Sequence, residues 1–311
     1  MPQASELIFA PEQDQPIRYI DRTRSYYLGL GYENPYMWAH YIDVPFAPLK
    51  KVLAQSILGL ITTAVPYDDN KGPQGQGAPY NAAAKFYQPY RQIIKGGIDL
   101  RIAHVGIDRK NANMEDSACW FPLAAAKRAR DAGRIKALSS HFYGLPTNRS
   151  QRHTLEVDAP KILEMLKADQ VDVAVLIPNC PICHQSQSLL ARYLESAGIS
   201  TVLMGAAKDI VEYCGVPRFL FSDFPLGNAA AKPDDVQAQD LNFELALRIL
   251  ESAPAARTTV QSPLVWSVDA SWKLDYSNLD RLSQPEILRL RDEAEQVRIT
   301  ARELRLKSVG A

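Results

Sequence analysis

Along the second half of the chain, short and nearly uninterrupted apolar runs alternate with longer segments of helical period. VDVAVLI (171–177), TVLM (201–204) and FLFS (219–222) lack the in–out alternation of a half-exposed strand. They read as strands covered on both faces. Segments 159–168, 186–197, 208–214 and 237–251 read as helices, and Gly198 and Gly215 stand where two of them should stop. In the first half, SILGLITTAVPY (56–67) predicts a buried strand that runs into the Gly/Pro-rich loop YDDNKGPQGQGAP. Residues 82–94 predict a helix, 98–104 a strand, and 121–133 a helix ended by Gly133. A short strand at 135–138 then opens onto SSHFYG, read as a turn. Residues 1–50 are rich in Tyr, Pro and Asp without a sustained period and predict an irregular arm around a core. Segment 285–306 predicts a charged amphipathic helix suited to docking or dimerisation.

Strand and helix in alternation predict an α/β fold: mostly parallel sheets with helices on both faces, in two Rossmann-like or flavodoxin-like halves. The expected division is an N-terminal arm (1–50), a first α/β half (51–165), a second half with a C-x-x-C turn (166–260) and a tail with the amphipathic helix (261–311). Whether the halves share one sheet is open at this level. In such folds ligands sit beyond the carboxyl ends of the strands. The residues to inspect are therefore those that follow each strand: Thr62, Thr63, His104, Asp108, His141, Tyr143, Cys180, Cys183, His184, Asp223 and Asn228.

Composition narrows the partners. The 311 residues are 46% hydrophobic and 23% charged, as in ordinary globular proteins. Lys plus Arg (35) equals Asp plus Glu (35), so no charge excess points to nucleic acid or a membrane surface. No apolar run is long enough to span a bilayer, and the first residues lack the apolar core of a secretory signal. A cytoplasmic protein is expected. Four cysteines do not make a disulfide framework in a chain of this size.

Two of the four form C-P-I-C-H (180–184), between an apolar run and a helix. Cys180 lies just past a buried strand, and Cys183 begins the helix. A helix N-terminus offers unpaired N–H groups and a positive dipole end that favour a thiolate, and Pro181 suits the first turn. A redox pair in the manner of thioredoxin-like proteins fits this placement. A zinc site needs two more ligands, for which Cys119, His104 and His141 are candidates. A haem anchor needs an exported protein. Two small core residues in a loop remain the bland alternative. Cys119, beside Trp120 and Phe121, and Cys214, within a helix, are expected to be buried.

Three blocks in order, RIAHVGIDRKNANMEDSACWFPLAAAKRARDAGRIKALSSHFYG, VDVAVLIPNCPICHQSQSLLARYLESAGI and VPRFLFSDFPLG, resemble the glycine/sarcosine/betaine reductase component B family. That family also contains the D-proline reductase selenoprotein. The resemblance spans roughly residues 45–255. It implies that Cys180 stands at the selenocysteine position and Cys183 at its partner's, which makes the chain a cysteine-containing homologue.

The activity so implied is thiol-dependent reductive cleavage of a small polar substrate, amino-acid-like or heteroatom-rich. Cys180 attacks and Cys183 resolves the adduct to a disulfide. A dithiol donor such as a thioredoxin-like protein resets the pair, with no other cofactor and no metal. The family's reductases activate an amine through a pyruvoyl group on another subunit, which this chain does not resemble. A reductase subunit or redox protein is therefore an implied partner, and a homo-oligomer is left open.

His184 is the expected stabiliser of the thiolate or proton donor. The expected substrate contacts are His104, Asp116, His141, Tyr143, Thr63 and Asp223. Each has a structural alternative: for His184 a helix-start residue hydrogen-bonded to backbone, for the others a polar pair fixing loop 104–116, a packed tyrosine or a turn around PLG. Two other functions stay in view. One is a cofactor-independent isomerase with Cys180 facing Cys119 or Cys214 across a cleft. The other is a non-enzymatic redox sensor or metal-binding module.

Overall fold

A computed structural model describes residues 15–309, apart from 33, 35, 76, 77, 79, 80, 96, 97, 103 and 105. The first fourteen residues of the expected arm therefore lie outside the described residues. Within the rest of the arm the chain forms a helix that the pattern did not predict, α1 (Tyr19–Gly29), before running irregularly through residues 36–50.

The strands are β1 (Ile57–Thr62), β2 (Val65–Pro66), β3 (Tyr90–Ile93), β4 (Leu100–Arg101), β5 (Ala137–Leu138), β6 (His141–Gly144), β7 (Val173–Ile177), β8 (Ser200–Gly205), β9 (Arg218–Phe221) and β10 (Thr258–Gln261). One sheet takes the order β10-β9-β8-β7-β1-β6-β3, with β5 also paired to β1. All its pairings are parallel except that of the edge strand β3 with β6. The two expected halves therefore contribute to a single sheet, joined where β1 pairs with β7. A small antiparallel pair, β2 with β4, stands apart.

Residues alternate between the two faces, and both faces are covered. Leu58, Leu60, Val173, Val175, Ile177, Val202, Met204 and Leu220 join one core with α2 (Leu123–Asp131) and, later in the chain, helix 236–252. Ile61, Ala174, Leu176, Leu203, Phe219 and Phe221 join the opposite core. α3 (Gln151–His153) passes through a π turn (Thr154–Asp158) into α4 (Ala159–Ala168), and α4, α5 (Pro181–Ser196) and α6 (Lys208–Cys214) close that second core. Burial on both faces is why the strands read as continuous apolar runs. The helix of residues 236–252, α7 (Val236–Ser252), leads to β10, and α8 (Gln284–Val309) ends the described chain. Among the described residues, no helix is long and apolar enough to cross a membrane.

Three sequence expectations need correction. Of the described residues in the expected strand 98–104 only Leu100–Arg101 (β4) is a strand, and it pairs antiparallel with β2 instead of joining the parallel sheet. Residues 82–94 are not a helix: they form a short 3-10 turn (Ala82–Ala84) and then β3. Pro89 lies inside the segment, where it would remove a helical hydrogen bond and restrict its predecessor. The segment SSHFYG is not a turn; His141–Gly144 is β6, hydrogen-bonded between β1 and β3.

The arm adheres through buried polar groups. The Ala39 N–H donates to Gln185 Oε1 of α5 at 2.7 Å, and the Ala47 N–H donates to Glu195. Arg218 Nη2 donates to the Ala47 carbonyl at 2.8 Å. Glu195 and Arg218 form an ion pair of 2.8 Å with side chains 0% and 1% exposed. Arg291 of α8 donates twice to the Gly29 carbonyl, at 3.0 and 2.7 Å, capping α1.

Candidate active site at a sheet switch point

Outgoing connections diverge between β1 and β7. The chain leaving β1 passes α2 on one face to reach β6, and the chain leaving β7 enters α5 on the other. Such a divergence opens a crevice at the carboxyl ends of the strands. Register fixes what meets there. Thr62 pairs with both Gly144 and Ile177, so the segments beginning at Thr63, Leu145 and Pro178 emerge side by side.

Cys180 is the N-cap of α5, in extended conformation, and its Sγ accepts the N–H of Cys183 at 3.2 Å. Pro181 occupies the first helical position, where no N–H is needed. The two cysteines are joined as a disulfide. Cys180 is 4% exposed and Cys183 0%. Cys180, Pro181 and Ile182 line a cleft of about 1960 Å³, together with His104, Arg109, Thr147, Arg149 and residues of α8. Cys183 faces inward, and the Thr147 hydroxyl stands 3.4 Å from its sulfur.

His104 joins this pair: one of its ring nitrogens and the two sulfurs all lie within 4.8 Å of one another. Its Nε2–H donates to the Thr63 carbonyl at 2.7 Å, which leaves the lone pair on Nδ1. Burial lowers its pKa to about 4, so the ring is neutral at neutral pH. The Thr63 hydroxyl accepts from Asn179 N–H (3.3 Å) and Nδ2 (3.2 Å). Thr63 thus ties the histidine, through its carbonyl, to the residue just before Cys180. Asn179 is fully buried, and its Oδ1 has no hydrogen-bond partner among the described residues. Gly106 completes the contact, since a Cβ there would stand 2.8 Å from the Pro181 ring.

His184 takes the place of its structural alternative, a helix-start residue bonded to backbone, and not that of a proton donor. Its Nδ1–H donates to the Cys180 carbonyl at 2.8 Å, and Nε2 accepts the N–H groups of Ala206 (3.0 Å) and Ala207 (3.2 Å). Both ring nitrogens are committed to backbone, and the side chain is fully buried. It pins the turn after β8 to the start of α5. Gly205 permits this approach, because a Cβ there would meet the imidazole at 2.9 Å. Burial lowers its pKa to about 4.

A folded-state value below the ordinary 6.5 means that the unfolded chain takes up this proton first as pH falls. The His184 contribution is intact above about pH 6.5 and is lost progressively down to about pH 4, by about 3 kcal/mol. His184→Gln cannot titrate in this way. Its stability deficit relative to the parent, measured by urea unfolding, should therefore shrink by about 3 kcal/mol between pH 7 and pH 4. A deficit independent of pH would contradict the buried neutral imidazole.

The remaining expected substrate contacts are dispersed. His141 Nδ1 stands 3.1 Å from the Asp169 carboxylate, and the Tyr143 hydroxyl donates to Asp169 at 2.7 Å. Asp169 precedes β7, at the opposite end of the strands from Cys180. Asp116 caps the 3-10 turn Ser117–Cys119 and accepts from Asp234 N–H and Gln239 Nε2 at 2.8 and 2.9 Å. Asp223 pairs with Lys273. None of these four lines the cleft.

Cys119 and Cys214 are buried free thiols, and neither lines the cleft. Cys119 lies among Asp116 and Asn228, with burial pushing its thiol up, and Cys214 packs with Ala39 and Leu189. Neither provides the facing thiol that a two-thiol isomerase needs. Of the three extra zinc ligands considered, only His104 comes to the pair.

Thr147, Asn148 and Arg149 follow β6 and line the cleft, yet they were absent from the sequence-derived set. The strand-end rule would have found them had His141–Gly144 been read as a strand.

The D-proline reductase subunit gamma of Acetoanaerobium sticklandii is 29% identical to this chain over 166 residues, which cover 53% of the chain and 68% of the relative. No family model and no solved structure matches.

Proposed function

We propose that the chain is an oxidoreductase that uses Cys180 and Cys183 for reductive cleavage of a small, polar, amino-acid-like substrate. The observation that carries this reading is the position of the pair. It caps a helix at the switch point of a parallel sheet, with Cys180 on the wall of a large cleft. Similarity to a D-proline reductase subunit supports the reaction class.

In this scheme the reduced pair meets a substrate R–X. The Cys180 thiolate attacks and forms a covalent adduct. Cys183 then displaces it, so that two thiols and R–X become one disulfide, R–H and H–X. A dithiol donor returns two electrons and two protons. The Cys183 N–H and the α5 N-terminus stabilise negative charge on the Cys180 sulfur. Lys85, Arg109 and Arg149 on the cleft wall favour a substrate carrying a carboxylate. His104 is a candidate substrate contact within 4.8 Å of both sulfurs, and Thr63 positions it. Because the relative is named as a subunit, a partner protein that activates the substrate belongs to the proposal.

Mass spectrometry of the reduced Cys183→Ser protein tests the scheme, with D-proline and related amino acids as probes, alone and with a reductase partner. An adduct should accumulate on Cys180 and vanish on addition of excess dithiol. Undiminished turnover with both cysteines replaced would end the thiol mechanism.

A further inference from the structure

We propose that, once the Cys180–Cys183 bond is reduced, His104, Cys180 and Cys183 form a three-ligand site for a thiophilic divalent cation such as zinc, with its fourth position open to the cleft. The proposal needs only that the disulfide be reducible and does not depend on any substrate.

Three observations carry it. The ligand atoms lie within 4.8 Å of one another, and all three residues are buried. At a tetrahedral zinc, bonds of about 2.3 Å to sulfur and about 2.0–2.1 Å to nitrogen separate the ligand atoms by about 3.6–3.8 Å, so after reduction side-chain rotations that spread the two sulfurs and bring in the imidazole form the site. The C-x-x-C spacing at a helix start is that of many zinc-binding turns.

The second observation is the tautomer. A metal-binding imidazole usually donates its other N–H to a carbonyl or carboxylate, which fixes the ring and leaves a lone pair for the metal. His104 already donates Nε2–H to the Thr63 carbonyl. The third is polarity: Asn179 Oδ1, in the residue adjoining Cys180, is a buried oxygen without a partner among the described residues. Two thiolates, one imidazole and an open position are a donor set found in catalytic zinc sites.

Metal and disulfide exclude each other, because the sulfur electron pairs that bind the cation are those of the reduced thiolates. Reduction by a phosphine consumes one water, yields two thiols and the phosphine oxide, and adds no competing thiol. Metal uptake then displaces two thiol protons. A bound cation withdraws both sulfurs from attack on a substrate, so the site would also gate the reaction proposed above.

Cobalt(II) titration of the full chain, reduced with a phosphine, tests this without a substrate. One equivalent should bind with the visible absorption of tetrahedral cobalt and a thiolate-to-cobalt charge-transfer band. The oxidised protein should show neither. His104→Gln should weaken binding by more than ~10-fold. X-ray absorption of the zinc-loaded parent protein reads the ligands without any variant and should show two sulfurs and at least one imidazole nitrogen. Absence of binding by the reduced protein, equal binding by the oxidised protein, unchanged affinity in His104→Gln, or a shell without nitrogen would each overturn the proposal. Loss of metal binding with adduct formation on Cys180 retained would reject this site while leaving the reductase reading intact.

Discussion

Cys180→Ser is expected to lower dithiol-coupled turnover by at least ~10³-fold, about 4 kcal/mol of lost barrier reduction, with the fold retained. Cys180 has two roles that substitution can separate. As the N-cap of α5 it accepts the Cys183 N–H through its side chain. Serine is among the best residues for that role, so helix and turn should survive. As the proposed nucleophile it must present an anion to the cleft, and a serine hydroxyl does not ionise in the neutral range. Cys183→Ser should fail differently. Its sulfur is shielded from solvent and lies beside the Thr147 hydroxyl, which suits an internal resolving thiol. That variant should complete the attack on one equivalent of substrate and then stop. Rapid-quench measurement of product per enzyme separates the two: none for Cys180→Ser, and a single stoichiometric adduct for Cys183→Ser. Equal loss of the first step in both would remove the distinction between attacking and resolving sulfur.

The second half of the fold was legible because its strands are buried on both faces and two of its helices, α5 and α6, stop at Gly198 and Gly215. Segment 208–214 matches α6 at both ends, and 159–168 covers α4 but not the π turn and α3 that run into it. The edge of the sheet was not legible. There β3 is half exposed and preceded by Pro89, and β6 is only four residues long, so neither shows enough period to be recognised. That one error moved the expected contacts. Reading 141–144 as a turn put His141 and Tyr143 at a strand end, where the true strand end delivers Thr147, Asn148 and Arg149 to the cleft. His104 was singled out by reading 98–104 as a strand of the main sheet, but of its described residues only Leu100–Arg101 is a strand and it pairs antiparallel with β2, so the strand-end rule does not account for its place beside the cysteines. His184 shows the opposite limit. Its adjacency to the cysteines suggests chemistry, but the helix rotates it towards Ala206 and Ala207, where both nitrogens serve the backbone. No sequence spacing reveals that rotation without the neighbouring strand.

Arg218→Met is expected to destabilise the protein by about 3–5 kcal/mol, the cost of leaving a buried carboxylate without its cation. Glu195 accepts from Arg218, from the Thr201 hydroxyl at 2.8 Å and from the N–H groups of Thr201 and Ala47. Burial pushes its carboxyl up, and Arg218 is the chief opposing influence. Arg218 in turn donates to the Ala47 carbonyl and lies over the Phe46 ring at 4.0 Å. The pair thus fastens the arm to β9 and to the C-terminal turn of α5, the helix whose first turn carries the cysteines. Adding Glu195→Gln to Arg218→Met removes the stranded charge while keeping an acceptor for the backbone N–H groups. The double variant should regain part of the loss, as expected when an unpaired charge dominates the cost. Urea unfolding measures the stability, and hydrogen exchange of residues 36–47 reports whether the arm loosens with it. A single variant within about 1 kcal/mol of the parent, with the arm still protected, would show that this ion pair does not hold the arm over α5.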